Sequence, residues 1–143
     1  MSYFHNKRVW VTGASSGIGR DVAIKLSKLG AELILTARSR DKLEEVKKEC
    51  GNAKTHIFEH DLSNLDTIDD LVSKVANQVG TIDILFNNAG ISAYSSANET
   101  NFAVYEQVMK LNFLSVVKLT KCILPQMISN KRGQIVTNTS LSG

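Results

Sequence analysis

Residues 8–19 read RVWVTGASSGIG, an apolar run that leads directly into a glycine-rich segment. The run from Arg8 to Thr12 is rich in β-branched and aromatic residues and predicts a buried strand, and an amphipathic helix follows the glycines. A strand, a glycine-rich turn and a helix in this order suit a pyrophosphate, because the free N–H groups and the positive dipole end of the helix face the turn. A plain glycine-rich turn remains an alternative reading of these residues alone.

The three glycines of this segment have separate expected roles. Gly13 permits the tight turn, Gly17 lets a ligand approach the backbone, and Gly19 allows the helix to pack close to the strand. A kinase-type phosphate loop is excluded, since no Gly-Lys-Ser or Gly-Lys-Thr closes the segment. We therefore predict a cofactor-binding loop made of Gly13, Ser15, Ser16, Gly17, Ile18 and Gly19.

The rest of the chain alternates short β-rich runs with helical periodicity, which predicts an α/β fold with a doubly wound parallel sheet, a Rossmann fold. The expected strands are 8–12, 32–36, 54–58, 83–86 and 134–138, in the order 3-2-1-4-5. Four helices connect them: an apolar stripe of Ile18, Val22, Leu26 and Leu29, then 41–49, 65–79 and 101–129, where Pro125 should kink or weaken the last turn. We expect a single domain over 1–143.

Cationic side chains follow the second strand. An NAD-binding fold usually presents an acidic residue to the ribose 2′-hydroxyl at this position, but the sequence reads Ala37-Arg38-Ser39-Arg40. A guanidinium holds a 2′-phosphate in a bidentate pair, and this favours NADP over NAD. Arg38 is the better placed candidate and Arg40 the second, and the alternative is that both are solvated charges before a helix.

Polar turns also follow the third and fourth strands, as His60-Asp61-Leu62 and Asn87-Asn88-Ala89-Gly90. In a sheet of order 3-2-1-4-5 the winding reverses between strands one and four, and ligands bind at the carboxyl ends of the strands there. The glycine loop and the Asn87–Gly90 turn should flank this crevice. Taken alone, Asn-Asn-Ala-Gly is also a common turn composition.

Together these motifs resemble the short-chain dehydrogenase/reductase family, in its classical type, with Thr-Gly-x-x-x-Gly-Ile-Gly at 12–19 and Asn-Asn-Ala-Gly at 87–90. The resemblance extends from Lys7 to Gly143. It implies NAD(P)-dependent oxidation of small-molecule alcohols or reduction of carbonyls. It also implies that Asp61 and Leu62 lie beside the adenine of the cofactor, and that Asn88, Ala89 and Gly90 lie beside its ribose.

Two catalytic residues are expected on the same ground. Asn112 stands one turn from Val108 and from Val116 and should be an inward amide with hydrogen-bond partners, because a buried amide without them costs about 1–3 kcal/mol. A structural bond to the backbone is the simpler reading, and the resemblance implies a role in a proton relay. Ser140 matches the family's catalytic serine and would donate a hydrogen bond to the substrate oxygen; Thr139 and Ser142 are near enough to be confused with it.

The family's catalytic Tyr-x-x-x-Lys has no counterpart at the expected place. Tyr3 and Lys7 have this spacing but lie at the amino terminus, so we reject them as a site. We expect the pair beyond Gly143, which would make residues 1–143 an incomplete Rossmann domain, truncated after strand 5 and inactive alone, with that strand as an exposed edge. The alternative is a non-catalytic dinucleotide-binding module or sensor.

Composition narrows the remaining classes. The 43% hydrophobic content suits a globular domain, and a net charge of +3 without a basic cluster argues against nucleic acid. Cys50 and Cys122 form no Cys-x-x-Cys, which favours a reducing, cytoplasmic setting and no metal knuckle. His56 and His60 lack an evident third ligand, so no metal site is predicted. We expect no membrane segment, because no apolar run approaches about 20 residues, and a homo-oligomer for the full-length enzyme.

Overall fold

Five parallel strands form one sheet in the computed structural model, which describes residues 1–140. The strands are β1 (Arg8–Thr12), β2 (Glu32–Ala37), β3 (Thr55–Glu59), β4 (Ile84–Asn87) and β5 (Gln134–Thr137). Their order across the sheet is β3-β2-β1-β4-β5, and every neighbouring pair is parallel. The predicted doubly wound arrangement is confirmed. Residues 141–143, among them Ser142, the alternative to Ser140, lie outside the described part.

Helices cover both faces of this sheet. They are α1 (Gly17–Lys28), α2 (Arg40–Glu49), α3 (Ile68–Val79), α4 (Phe102–Met109) and α5 (Ser115–Ser129). Side chains along β1 alternate between the two cores: Val9 and Val11 pack with α1 and α2, and Trp10 packs with α3 and α5. All three are at most 1% exposed, as expected for a central parallel strand. The Trp10 indole Nε1 donates to Thr36 Oγ1 at 2.9 Å, which satisfies its buried N–H.

The buried face of α1 differs from the predicted stripe. Ile18 is 58% exposed and Leu29 is 42% exposed, whereas Gly19, Ala23 and Leu26 are buried. Small side chains at the first two of these positions let the helix axis approach the sheet closely, so its contact face is marked by small rather than by large residues. Of the predicted stripe, Val22 and Leu26 do contact the core, whereas Ile18 is exposed at the start of the helix and Leu29 lies just after its end.

The long fourth helix is interrupted by a π-turn at Lys110–Leu114, between α4 and α5. A π-turn adds one residue to the turn and changes which positions share a face. Leu111 and Ser115 are therefore buried, while Asn112 is exposed. The prediction that Asn112 lies inward was wrong, because it assumed regular α-helical spacing. The helix also continues past Pro125 and ends at Ser129.

The helical segment Phe102–Ser129, with the π-turn included, is 28 residues long and, by length and composition, meets the criteria for crossing a membrane. No unbroken apolar run marks this segment in the sequence, because lysines such as Lys110 and Lys118 lie between the apolar residues. One side of the segment packs in the core through Leu119, Ile123 and Met127. Core helices of globular folds satisfy the same criteria.

Candidate functional site

A cavity of about 720 Å³ opens at the carboxyl ends of the strands. It lies between the glycine loop, residues 13–19, and the segment Asn87–Gly90 at the end of β4, called the β4 turn below. The winding of the sheet reverses here: β2 and β3 lie on one side of β1, whereas β4 and β5 lie on its other side. Such reversal points are the usual ligand sites of doubly wound sheets. The sequence-predicted residues that line the cavity are Gly13, Ser15, Ser16, Ile18, Arg38, Asp61, Leu62, Asn88, Ala89 and Gly90.

Two predicted members, Gly17 and Gly19, do not line this cavity within the part of the chain that the structure describes. Gly19 is buried, and a Cβ on it would collide with the Gly13 carbonyl oxygen and would lie 2.5 Å from Asn88 Nδ2. It serves packing, as expected from its place at the start of the helix. Gly17 has a φ of +53° and open space where a Cβ would stand, so its backbone is accessible from solvent.

The glycine loop is held against the β4 turn by Thr12. Its hydroxyl oxygen accepts hydrogen bonds from the backbone N–H groups of Asn88 at 2.9 Å and Ala89 at 3.1 Å. Asn88 Nδ2 donates in return to the carbonyl oxygens of Thr12 at 3.2 Å and Gly13 at 3.3 Å. The first and fourth strand ends therefore form one hydrogen-bonded unit. Thr12 belongs to the predicted motif, but this role was not predicted; the signal that could have indicated it is its place at the last position of β1.

The Asp61 carboxylate at the third strand end has a lowered pKa. Burial would raise this pKa, but hydrogen bonds from the Ser63 side chain and backbone and the charge of Arg38 outweigh it. For the neighbouring His60, burial has the opposite effect and lowers the pKa, because it disfavours the charged imidazolium. The Nε2 atom of His60 lies 3.1 Å from Thr67 Oγ1. At neutral pH this side of the cavity thus carries an anionic Asp61 and a neutral imidazole.

The two candidate arginines have different surroundings. Arg38 borders the cavity, while Arg40 directs its Nη2 to Glu44 Oε1 at 3.6 Å along α2. The second cation at the cavity wall is Lys42, not Arg40. Sequence reasoning ranked Arg38 before Arg40 but did not name Lys42, because the direction of each side chain depends on where α2 begins.

A second cavity of about 400 Å³ adjoins the first and shares with it the turn 88–91 and Asn138. Both predicted catalytic residues, Asn112 and Ser140, line it. Asn112 Oδ1 accepts from the backbone N–H of Ile91 at 2.9 Å, and its Nδ2 donates to the Ile91 carbonyl at 2.8 Å. The π-turn therefore aims this amide at the loop after β4, and both of its polar atoms bond to backbone.

Asn138 connects the two cavities and was not predicted. It follows β5, and its Nδ2 donates to Asn88 Oδ1 at 2.9 Å. Since Asn88 in turn bonds to the glycine loop, a continuous set of hydrogen bonds joins the ends of β1, β4 and β5. This linkage fixes the segment leading to Ser140 relative to the loop around Gly13.

The residues present fit a phosphate-bearing dinucleotide. A Cβ on Gly13 would lie 2.8 Å from Ala89 Cα, so the cradle tolerates no side chain there. The Ser16 side chain at the start of α1 makes no capping hydrogen bond, which leaves the first N–H groups of the helix for a ligand. By contrast, no cluster of three metal-ligating side chains occurs among residues 1–140.

Fold and site define a doubly wound α/β protein with its cavity at the point where the winding reverses, the class that binds dinucleotides. The family model described as short chain dehydrogenase matches residues 7–143 of this chain. The chain belongs to the short-chain dehydrogenase/reductase family, a family of oxidoreductases.

Curated relatives agree with this assignment. The chain is 45% identical over 141 residues to Dehydrogenase/reductase SDR family member 7 of Mus musculus, and equally to that of Homo sapiens. Each alignment covers 94% of this chain but only 42% of the relative. The chain therefore spans less than half the length of these relatives.

Solved structures give the same picture. A metagenomic short-chain oxidoreductase in complex with NADP has a TM-score of 0.93 and 33% identity, over 99% of this chain and 65% of its own. L-sorbose reductase from Gluconobacter frateurii, complexed with NADPH and L-sorbose, has a TM-score of 0.90 and 28% identity, over 96% of this chain and 54% of its own. These neighbours support an NAD(P) site in this chain.

Proposed function

We propose that this chain forms the cofactor-binding part of an NADP-preferring oxidoreductase that acts on a small-molecule carbonyl or secondary alcohol. One observation carries the proposal: a single cavity at the strand ends joins the glycine loop, the β4 turn and a guanidinium after β2. When bound, the nicotinamide of the cofactor supplies or accepts a hydride. The protein contributes the backbone N–H groups and side chains that bind and orient the cofactor and the substrate.

The cofactor preference rests on Arg38. This side chain has no carboxylate within 4.0 Å among residues 1–140, and it borders the cavity beside Ser39. A guanidinium in that place binds a 2′-phosphate more tightly than it binds a 2′-hydroxyl, because it forms two parallel charged hydrogen bonds with the phosphate. The NADP and NADPH complexes of the two structural neighbours support this preference.

The catalytic roles rest on the second cavity. We assign Ser140 the role of donating a hydrogen bond to the substrate oxygen, where negative charge develops during reduction. Asn112 holds the Ile91 backbone and orders the path by which a proton reaches that oxygen. The Tyr-x-x-x-Lys pair that donates the proton follows Gly143 in this proposal, which agrees with relatives more than twice as long as the matched part.

Two further properties belong to the proposal. A cytoplasmic, reducing location accords with two cysteines that are both unbridged, one buried and one half-buried. We also propose that the full-length enzyme assembles as a homo-oligomer.

The proposal is tested by steady-state reduction of a panel of ketones and aldehydes with the full-length protein, using NADPH and NADH in parallel. We expect turnover with at least one carbonyl and a higher kcat/KM with NADPH. Arg38→Ala should lower kcat/KM for NADPH about tenfold and leave NADH nearly unchanged. Tight NADPH binding without turnover on any substrate would instead identify a non-catalytic dinucleotide-binding module, and an unchanged preference in Arg38→Ala would remove the cofactor assignment.

A further inference from the structure

Residues 138–140 follow the end of β5 and lie beyond the last pair in the register of β4 and β5, Asn87 with Thr137. Asn138 is the first residue of this segment and is exposed. Its backbone N–H donates to the Asn87 carbonyl oxygen at 2.9 Å, and its side-chain Nδ2 donates to Asn88 Oδ1, also at 2.9 Å. Asn138 therefore attaches the segment to the β4 turn with one backbone bond and one side-chain bond.

The side-chain bond can form in one direction only. Asn88 Nδ2 already donates to the carbonyl oxygens of Thr12 at 3.2 Å and Gly13 at 3.3 Å, so Oδ1 is the amide atom that faces Asn138. An amide oxygen accepts hydrogen bonds and cannot donate them, so residue 138 has to supply a donor. The bond depends on the amide N–H of the asparagine and not on the shape of its side chain.

Asn138 lies where the two cavities meet. It lines the first cavity together with Gly13 and Asn88, and it lines the second cavity together with Ser140. A series of hydrogen bonds thus begins at the loop that would hold the pyrophosphate and ends two residues before the serine. A donor to a reacting oxygen needs an accurate position, because a displacement of about 1 Å lowers a rate about hundredfold.

We propose that Asn138 is a positioning residue for hydride transfer, which acts through Asn88 to set the place of Ser140 relative to the cofactor at the glycine loop. This inference rests on the proposed function, in which Ser140 donates to the substrate oxygen. Asn138 needs no contact of its own with the substrate. Loss of its donor slows the chemical step and leaves cofactor affinity nearly unchanged, because the glycine loop keeps the bonds between Thr12 and the β4 turn.

The test is a double-mutant cycle in the full-length protein, with Asn138→Leu and Ser140→Ala made singly and together. Carbonyl reduction is followed by the absorbance of NADPH, in single turnovers for slow variants. We expect Asn138→Leu to lower kcat at least about tenfold and to change the Kd for NADPH by less than about twofold. In the Ser140→Ala background the same substitution should lower kcat by less than about twofold, because no hydroxyl remains to be positioned.

Two further variants separate the donor from other effects of substitution. Asn138→Asp keeps the size of the side chain but offers no donor at neutral pH, so it should reproduce the result of Asn138→Leu and serves the same cycle if the leucine variant fails to fold. Asn52 is exposed and precedes β3, at the end of the sheet opposite the cavity. Asn52→Leu and Asn52→Asp are therefore the matched controls, and both should leave kcat and the Kd for NADPH at the wild-type values.

Three results overturn the positioning role of Asn138 alone: an unchanged kcat in Asn138→Leu, an equal fold-loss of kcat in both backgrounds, or a Kd for NADPH that weakens as much as kcat falls. The second would mean that the asparagine acts independently of the serine, and the third that it acts on cofactor binding. A Ser140→Ala variant as active as the wild type, or a wild type without turnover on any carbonyl, overturns the proposed function and this inference together.

Discussion

Gly13 is the residue on which the geometry of the site depends most. Two features oppose a side chain at this position: the φ of +63°, and Ala89 Cα, a backbone atom that would lie 2.8 Å from an added Cβ. We expect Gly13→Ala to lower the free energy of unfolding by about 3 kcal/mol, from backbone strain of about 1–2 kcal/mol and a forced shift of the β4 turn. Urea denaturation followed by circular dichroism measures this loss.

Gly51→Ala is the matched control for that variant. Gly51 has nearly the same φ, +64°, but no atom lies within 4 Å of an added Cβ. Gly51→Ala should therefore lower the free energy of unfolding by about 1 kcal/mol, the cost of the backbone strain alone. Equal losses in the two variants would show that close packing against Ala89 contributes nothing.

Asn112 separates a catalytic effect from a structural one. Its side chain is exposed and, within residues 1–140, hydrogen-bonds to the backbone of Ile91 alone, so Asn112→Ala should cost less than about 1 kcal/mol of stability. On the proposed function, kcat should nevertheless fall at least about tenfold, while the Kd for NADPH changes little. Asn77→Ala, an exposed amide on α3, serves as control. A kcat that stays at the wild-type value would leave Asn112 with a structural role only.

At the scale of elements, Thr12 joins β1 to the β4 turn. Thr12→Val keeps the shape but removes the acceptor for two N–H groups, those of Asn88 and Ala89. Because Thr12 is only 2% exposed, water does not readily replace its oxygen, and we expect a loss of about 2 kcal/mol in thermal or urea unfolding. Thr12→Ser retains the hydroxyl oxygen, so its loss of unfolding free energy should be less than half of the loss in Thr12→Val. A valine variant as stable as the serine variant would contradict the hydrogen-bond account.

The strands and their order were predictable from the sequence, because each strand is a short apolar run and parallel connections restrict the topology. The tips of β1, β2, β3 and β4 follow from that order, and the structure brings them to one cavity. What the sequence could not provide was side-chain direction. The π-turn at Lys110–Leu114 reversed the expected burial of Asn112, and small residues set the inner face of α1.

That Arg40 turns away to Glu44 while Lys42 lines the cavity was not predicted, for a related reason. Both follow β2 within a few residues, and their directions depend on the exact first turn of α2. Asn138 was missed because an amide after an edge strand has no distinctive spacing; only the fold brings it to within 2.9 Å of Asn88.

At the scale of the whole molecule, the end of the sheet opposite the cavity carries an ion cluster around Glu32. Its carboxylate lies 2.8 Å from Lys54 Nζ, 2.9 Å from His56 Nε2 and 3.3 Å from Arg8 Nε. Burial raises the pKa of Glu32, but these three hydrogen-bonded partners outweigh it and lower the pKa from 4.5 to about 2. The cluster joins the beginnings of β1 and β2 to the entry of β3.

A lowered pKa makes this cluster a source of stability with a defined pH range. The contribution is complete above about pH 4.5, where the unfolded carboxyl is also ionised, and is lost as the pH falls toward about 2. Glu32→Gln should reduce stability at pH 7 and flatten the decline across that range in urea titrations. Glu59→Gln, an exposed residue at the other end of β3, should leave the pH profile as it is. A Glu32→Gln profile parallel to the wild type would contradict the assignment.

The central claim is that one cavity at the strand ends holds NADP, with its 2′-phosphate beside Arg38. A crystal structure of the full-length protein grown with NADP tests this most directly. The account predicts a pyrophosphate against residues 15–19 and a 2′-phosphate within hydrogen-bond distance of the Arg38 guanidinium. A cofactor bound elsewhere, or a 2′-phosphate directed into solvent away from Arg38, would contradict it.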